Sequence, residues 1–455
     1  VQAGKITLDE LSSAIRAGTI DTVITALPDM QGRLVGKRVT GTYFLDYCLE
    51  HGTHFCTYLL ATDMEMETPE GFPGHDWETG YGDYLARPDW ATLRVIPWLE
   101  RTALVLCDVV DESSGIMVDV APRTILHRQV ERAASLGFTP MMATELEFFL
   151  LKESFEEAEG KNYHNLTPFG WYNEDYHLFQ ATKAEPIYRR FRNEMTAAGI
   201  PIEFSKGEAS AGQHEVNIHY DTALESADRA ALFKHGAREI AWQDGHAITF
   251  MSKPHHSWTG SSGHIHISLW DKSGESSVFP GQNGDMSDTM RWFLGGMIAA
   301  ASELSLFMAS TVNAYKRFAA ASWAPTNIVW GRDNRTCGFR IVGNGNGLRI
   351  ENRLPGADSN PYLAFAAVLG AGLTGIERKT EPPAEFHGNG YLATDAPKIP
   401  SALYKAIATW EQSDLARAIF GEQVHAHYLN MARVEQETFD RVVTDWERVR
   451  YLERG

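Results

Sequence analysis

The stretch ATELEFFL, residues 143–150, decides how this chain is read. From Met141 to Leu151 nearly every residue is apolar, as in a core strand, yet Glu145 and Glu147 sit two positions apart within it. Side chains alternate along a strand, so residues i and i+2 share a face at roughly 7 Å. Both carboxylates therefore point the same way. An uncompensated buried ion costs several kcal/mol, and neighbouring carboxylates raise each other's pKa unless a positive group lies between them. The stretch predicts a buried strand and a cationic partner for it.

Three more extended segments carry polar residues in apolar surroundings. GEASAGQHEVNIHY (207–220) brings Glu208 and Glu215, SSGHIHISLW (261–270) puts His264 and His266 on one face, and LRIENRLPG (348–356) alternates Arg349, Glu351 and Arg353. The residues named on these four segments supply five carboxylates and two imidazoles. Oxygen-rich sites with an imidazole suit Mg²⁺ or Mn²⁺, and the lack of Cys ligands argues against structural zinc. Arginines follow in NAYKRF (313–318) and RDNRTCGFRI (332–341), which contain Lys316, Arg317, Arg332, Arg335 and Arg340. Dications with several guanidinium forks are equipped to hold phosphates and a substrate carboxylate, so the reading is phosphoryl transfer. Arg340 and Arg353 lie in apolar strand patterns, whereas Arg332 reads as a surface ion-pair residue. There is no GxxxxGK[ST] loop, and GNGNG at 343–347 reads as a flexible turn.

The chain has 455 residues, 44% of them hydrophobic, enough for a large core and more than one structural unit. Its net charge of −18, spread without a long acidic run, excludes a general nucleic-acid binder, which needs a basic face. Cys48, Cys56, Cys107 and Cys337 have no CxxC spacing and read as reduced thiols of a cytoplasmic enzyme. The opening VQAGKITLDEL shows no charged-then-apolar leader, and its missing Met is the expected mark of trimming. The most apolar long segments, 292–310 and 360–376, are interrupted by Glu303 and by Asn360, Pro361 and Thr374, so they read as buried helices rather than membrane spans. TLDELSSAIRAG (7–18) is a capped helix, DTVITALPDMQGRLVGKRVT (21–40) a hairpin, and TALVLCDVV (102–110) a buried strand. A change of character near residue 113 divides the chain into a small N-terminal sheet domain, 1–113, and a large α+β domain, 114–455.

Taken in order, ELE, GEASAGQHE, TFMSKP, GSSGHIHISLW, NAYKRF, DNRTCGFRI, RIENR and NPYLAFAAVLGAGLTGIE resemble the glutamine synthetase superfamily. The likeness runs from the first hairpin to the C-terminal DWERVRYLE. It implies a β-grasp-like N-terminal domain and a catalytic domain whose curved antiparallel sheet, flanked by helices, forms a two-ended funnel. It also implies a dodecamer of two stacked hexameric rings, with each active site between one subunit's large domain and its neighbour's small one. Glu147, Glu208 and Glu215 resemble the ligands of one metal ion, and Glu145, His264 and Glu351 those of a second. Arg317 and Arg353 resemble the arginines that hold glutamate, Arg353 also facing the phosphoryl group. Arg335 and Arg340 resemble those around the nucleotide phosphates, His266 and Ser268 fall on the nucleotide side, and Gly260 lies on the loop lining the glutamate pocket. The catalytic residues so implied are Arg335, Arg353 and Glu351, with ATP as substrate and two or more Mg²⁺ or Mn²⁺ ions per site.

One departure bears on the amine. Ammonia-using members carry an acidic residue in a GYEAP-like flap after NAYKRF, where it helps deprotonate ammonium. Here the flap is AAASWAP (319–325), and Trp323 stands in that place. Trp takes no proton but forms a flat apolar wall. The chain therefore resembles the γ-glutamylamide ligases, which join L-glutamate to an organic amine through γ-glutamyl phosphate. The flap favours an apolar monoamine, an arylamine or short alkylamine. Polyamines or ethanolamine, ammonium itself, a catalytically silent homologue and a guanidino kinase are the alternatives, the last disfavoured by ELE, HxH and RIENR. A second acid at the amine site comes from the neighbour's N-terminal domain, where Asp63 or Glu65 fills the place. Tyr391 sits near the position of the family's nucleotidylated tyrosine, but GNGYLATDAP does not reproduce that context.

Overall fold

A computed structural model describes residues 4–455; the first three residues of the N-terminal stretch lie outside the described residues. The helix Leu8–Arg16 begins at a capping box between Thr7 and Glu10 and is followed by Gly18 in the left-handed region. Six strands follow: β1 (Thr22–Pro28), β2 (Leu34–Thr40), β3 (Thr53–Cys56), β4 (Asp83–Pro88), β5 (Arg94–Val95) and β6 (Thr102–Val110). They form a sheet of order β2-β1-β6-β4-β3, with β5 beside β6. β1 pairs antiparallel with β2 and parallel with β6. The turn between β1 and β2 is closed by Asp29, whose Oδ1 accepts the N–H groups of Gln31 (3.0 Å) and Arg33 (2.8 Å).

The second sheet contains β7 (Phe138–Leu150), β8 (Ile202–Gly207), β9 (Gln213–Ile218), β10 (Asp221–Thr222), β11 (Ile248–Thr249), β12 (Gly263–Asp271), β13 (Trp330–Arg332), β14 (Phe339–Val342) and β15 (Arg349–Asn352). Its order is β13-β14-β15-β12-β7-β9-β8, with β10 and β11 both on β7. The expected antiparallel arrangement holds except at one edge, where β13 runs parallel to β14. Parallel neighbours ordinarily need a long crossover. Here the three-residue β13 and a left-handed Asp333 (φ 48°) let a short link loop back.

Helices cover one face of this sheet. The apolar segment 360–376 forms the helix Pro361–Arg378, which starts at Asn360, whose side chain accepts the Tyr362 N–H, and ends at a left-handed Lys379. It is buried along most of its length against the helix Asp288–Ala300. The two backbones approach closely: a Cβ on Gly296 would lie 2.6 Å from the Gly375 Cα, so glycine is required there. The segment 292–310 is two helices rather than one, Asp288–Ala300 and Ser305–Met308. The break frees Glu303 to accept a hydrogen bond from Ser413, a polar contact a continuous apolar helix could not offer. Buried Arg123, in the helix Pro122–Ser135, pairs with Asp108 of β6, with Asp89 and with Asp228 of the helix Ala223–Gln243, tying the first sheet to the helical layer. No helix among the described residues is long and apolar enough to cross a membrane.

Candidate active site

Strand register places the polar residues in one field. Arg340 faces Glu351, and Glu351 faces His266. His264 faces Glu145, which faces Asn217; Glu147 faces Glu215, which faces Lys206. Residues directly opposite one another share a face of a sheet. All of these side chains therefore emerge on the surface away from the helices, while Leu146, Phe148, Val216, Ile265 and Ile350 from the same strands are buried on the other. Alternation answers how a core strand carries two carboxylates: its apolar residues fill one face and its polar residues line the site.

Two donor sets result. Glu145, His264 and Glu351 offer ligand atoms within 4.8 Å of one another, and Glu147, Glu208 and Glu215 do the same. In the first set, His264 Nδ1 lies 3.1 Å from Glu145 Oε2 and 3.4 Å from Glu351 Oε1. Burial, and then the nearby Arg353, push the His264 pKa down to about 4, so its imidazole is neutral and available as a ligand. Burial works to raise the Glu351 pKa, but Arg353 and the two imidazoles outweigh it and hold the carboxyl at about 2. Glu145 is likewise held well below its usual range against its own burial, by His266 and His264. His266, expected on the nucleotide side, reaches Glu145 Oε1 with Nε2 at 2.8 Å, while its Nδ1 accepts from Arg349 Nε at 3.2 Å. The protein thus supplies part of the stabilisation that ELE requires, through the imidazole contacts to Glu145.

The other set is more heavily charged. Glu147 accepts from the Ser262 N–H (2.8 Å), the Ser262 hydroxyl and Gln213 Nε2 (3.3 Å), and Glu215 accepts from Asn217 Nδ2 at 2.6 Å. Burial and the neighbouring Glu208 still push Glu147 up to about 7, and burial with Glu145, Glu147 and Glu208 pushes Glu215 up to about 9. Three converging carboxylates that repel one another in this way fit a hard divalent cation, and the Glu–His–Glu set fits Mg²⁺ or Mn²⁺ equally.

A pH dependence follows from these two shifts. Both folded-state values lie above the unfolded glutamate value of about 4.3, so the folded protein binds more protons and loses stability as pH rises toward them. Without divalent ions, the thermal midpoint is expected to fall by several degrees between about pH 6 and about pH 9. Saturating Mg²⁺ should raise it more at the higher pH. Calorimetry showing a flat profile, or an equal metal effect at both pH values, would remove this account of the carboxylates.

Around the donor sets the structure places the remaining residues at different distances. Arg353 Nη1 donates to Glu351 Oε1 at 2.6 Å and Nη2 to the Trp323 carbonyl at 3.5 Å, and its buried Nε has no partner among the described residues. Arg340 donates to Glu351 Oε2 at 3.0 Å and also holds Asp333. Arg317 is buried, and its Nη1 and Nη2 donate to the carbonyls of Leu354 (2.9 Å) and Arg353 (2.8 Å), so it also fixes the chain after β15. Gly260 backs onto it: a Cβ there would meet the Arg317 Cγ at 2.6 Å. Arg335 lines an open cleft with Arg332, Phe386 and His387. Arg332 makes surface pairs with Asp285 and Glu385, as its sequence context leads one to expect. Ser268 Oγ accepts from Trp270 Nε1 at 3.0 Å.

The flap is strained and tied down. Ala321 and Trp323 both have left-handed backbones (φ 57° and 64°), which is costly for a large side chain. Ser322 Oγ donates to the Arg317 carbonyl at 3.1 Å, and the Tyr391 hydroxyl donates to the Ala324 carbonyl at 2.9 Å. Trp323 itself is 59% exposed, so it does not serve internal packing. Within one chain Asp63 is not brought to the donor sets. It caps its own loop, accepting from the N–H groups of Glu65 and Glu67, and lines a separate cavity with Glu65, Asp358 and Glu435.

Sequence reasoning missed Lys206 and the exposed Tyr176, and gave Arg349 and Tyr391, which it named, no role in the site; all four adjoin these groups. Lys206 was within reach, since it lies two residues before Glu208 at the end of a strand. Tyr176 sits in an irregular segment with no periodicity to read.

Comparison with known proteins adds to this geometry. The glutamine synthetase catalytic domain family matches residues 119–451. A γ-glutamylethanolamide synthetase of Streptomyces coelicolor is 50% identical over 98% of this chain and 96% of its own length. A glutamate–isopropylamine ligase from a Pseudomonas species is 38% identical over 96% of both, and a glutamine synthetase of Thermotoga maritima is 31% identical over 98% of this chain and all of its own. A solved structure of GmaS in complex with ADP superposes with a TM-score of 0.85 at 28% identity, covering 97% of this chain and 99% of that one.

Proposed function

The chain belongs to the glutamine synthetase family, and from that premise we propose that it is an ATP-dependent ligase joining the side-chain carboxylate of L-glutamate to a small organic primary amine. The observation that carries the reading is the flap beside Arg353. An exposed, backbone-strained Trp323 stands at the edge of a field of carboxylates, imidazoles and guanidinium groups, where an ammonia-using site needs an acid.

A carboxylate is a poor electrophile, so amide formation needs activation. The glutamate side-chain oxygen bonds to the γ-phosphorus of ATP as the bond to ADP breaks, giving an acyl phosphate. The amine lone pair then attacks the carbonyl carbon, the bond to phosphate breaks, and the nitrogen loses a proton. In this reading Arg353, with its free buried Nε, takes the phosphoryl oxygens, Arg335 and Arg340 hold the nucleotide phosphates, and Arg317 and Gly260 shape the glutamate pocket. His266 and Ser268 lie on the nucleotide side. Glu147, Glu208 and Glu215 would hold one divalent ion and Glu145, His264 and Glu351 another, and such ions supply neutralisation of the crowding phosphate oxygens. A ring assembly in which Asp63 of a neighbouring copy completes the amine side, and a domain boundary near residue 113, belong to the same proposal.

Among amines, the apolar flap favours a short alkylamine or an arylamine, in keeping with the glutamate–isopropylamine ligase relative. The 50% identical γ-glutamylethanolamide synthetase favours a second reading, ethanolamine. Phosphate release with ATP, glutamate and Mg²⁺ in the presence of isopropylamine, aniline, ethanolamine, putrescine or ammonium separates them. Ammonium as the best substrate would return the chain to ordinary glutamine synthesis. No amine-dependent release from any member of the panel would remove the ligase reading.

A further inference from the structure

Lys206 is a cation already seated among the carboxylates of one donor set. It lies opposite Glu215 in the β8–β9 ladder, and its Nζ is in contact with Glu208. The same Nζ lies 3.4 Å from Asp175 Oδ1, 3.4 Å from the Gly207 carbonyl it donates to, and 4.4 Å from the centre of the Tyr176 ring. Glu208 and Glu215 are two of the three ligands in that set, so a divalent ion entering it must either share Glu208 with the ammonium or displace it. The other set is built differently: Glu351 is fixed by two guanidinium groups, one of them anchored on Asp333, and among the described residues no lysine pairs with it. A guanidinium fork is rigid, whereas an ammonium on a four-carbon stem moves easily from one carboxylate to another.

The segment that would receive the displaced ammonium is attached to the same ligand loop. The Glu174 N–H donates to the Glu208 carbonyl (3.2 Å), the Tyr176 N–H donates to the Gly207 carbonyl (3.3 Å), and Glu174 Oε1 accepts from the Gly212 N–H (2.7 Å). Asp175, between them, is half exposed and has an oxygen within reach of Nζ.

We propose that Lys206 is a resident counter-ion of the Glu147–Glu208–Glu215 set, one that competes with a divalent ion for Glu208 and moves to Asp175 when the ion binds. It is a positioning residue: it sets the affinity of this one set and couples its loading to the 174–177 segment. The inference rests on the proposed metal reading, and the test distinguishes failure of the lysine role alone from failure of that reading.

The test is Mn²⁺ titration of the full-length protein without nucleotide, with free ion counted by electron paramagnetic resonance. Wild type should show one class of site for each donor set. Lys206→Met and Lys206→Gln should each tighten one class about tenfold and leave the other unchanged, because removing a like charge at contact distance favours the ion. Lys206→Arg should stay within about twofold of wild type, since the charge is kept. Glu208→Gln should eliminate the class that responds. Unchanged or weaker binding in both neutral variants, with Glu208→Gln still eliminating a class, overturns the role of Lys206 alone. Both classes intact in Glu208→Gln would mean that these carboxylates hold no metal, and would take the metal reading of this set and the lysine proposal down together.

Discussion

Glu351→Ala is expected to lower kcat for amide synthesis roughly 10³-fold, the scale of losing a group that organises charge in the transition state. Glu351 is 1% exposed and holds three partners at once: Arg353 at 2.6 Å, Arg340 at 3.0 Å and His264 at 3.4 Å. In the proposed site it is also a metal ligand. Its removal leaves two guanidinium groups facing each other with nothing between them, in the place where phosphoryl oxygens would lie. Breaking a buried ion pair by deleting one partner commonly costs about 3 to 5 kcal/mol of stability. The alanine variant therefore mixes two effects, and Glu351→Gln separates them. The amide keeps the volume and its single oxygen can still accept from one of the two arginines, so its thermal midpoint should fall less than that of the alanine variant. Its kcat should fall almost as far, because a neutral amide is a poor ligand for a hard cation. Stopped-time assays on folded protein, with melting curves for both variants, decide the matter. A glutamine variant within tenfold of wild-type kcat would deny Glu351 its part in the chemistry.

Much of this site was legible because β-strand alternation converts spacing into facing. ELE and HIH each declare two side chains on one face and RIENR three, and the register then aligns them across three strands. What alternation does not contain is the register itself. Nothing local to HIHIS says that His264 lies opposite Glu145 rather than one pair further along, and a shift of one residue would turn every ligand into the core. The long helix Pro361–Arg378 was readable from its Asn-Pro start and the apolar run that follows, broken only by Thr374 before residue 377. The division of 292–310 was not, because the partner that Glu303 meets at the break, the Ser413 hydroxyl that donates to it, is more than a hundred residues away in sequence. The parallel β13–β14 edge was hidden for a similar reason: a three-residue strand carries too little pattern to show direction. Lys206 lies two residues from Glu208 in sequence, but only its pairing with Glu215 across the ladder makes it part of the site.

The flap tests the amine assignment. Ala319, Ala320 and Ala321 keep the approach to Trp323 small and uncharged, and the bonds from Ser322 to the Arg317 carbonyl and from Tyr391 to Ala324 hold the backbone that presents the ring. A tryptophan that is largely exposed on a left-handed backbone has neither packing nor conformational preference to justify it, so its place points to contact with something outside the chain. Alkylamines with a pKa near that of lysine, about 10.4, arrive protonated and need a carboxylate, whereas an arylamine is already neutral at neutral pH. A charged diamine therefore gains least from this wall, and a monoamine with a compact apolar group gains most. Trp323→Ala should lower kcat/KM for the preferred amine roughly 30- to 150-fold, from the loss of about 100 Å² of aromatic contact, or on the order of 2 to 3 kcal/mol. The KM values for ATP and glutamate should hardly change, since the Trp323 carbonyl that meets Arg353 is kept. A control is available in the backbone: Trp323→Gly removes the ring and also relieves the left-handed strain. If the ring acts by contact, the two variants lose activity alike. If glycine restores most of what alanine loses, strain in the flap rather than contact with the amine accounts for the effect. Equal losses for ammonium and for isopropylamine would show that Trp323 does not select the amine at all.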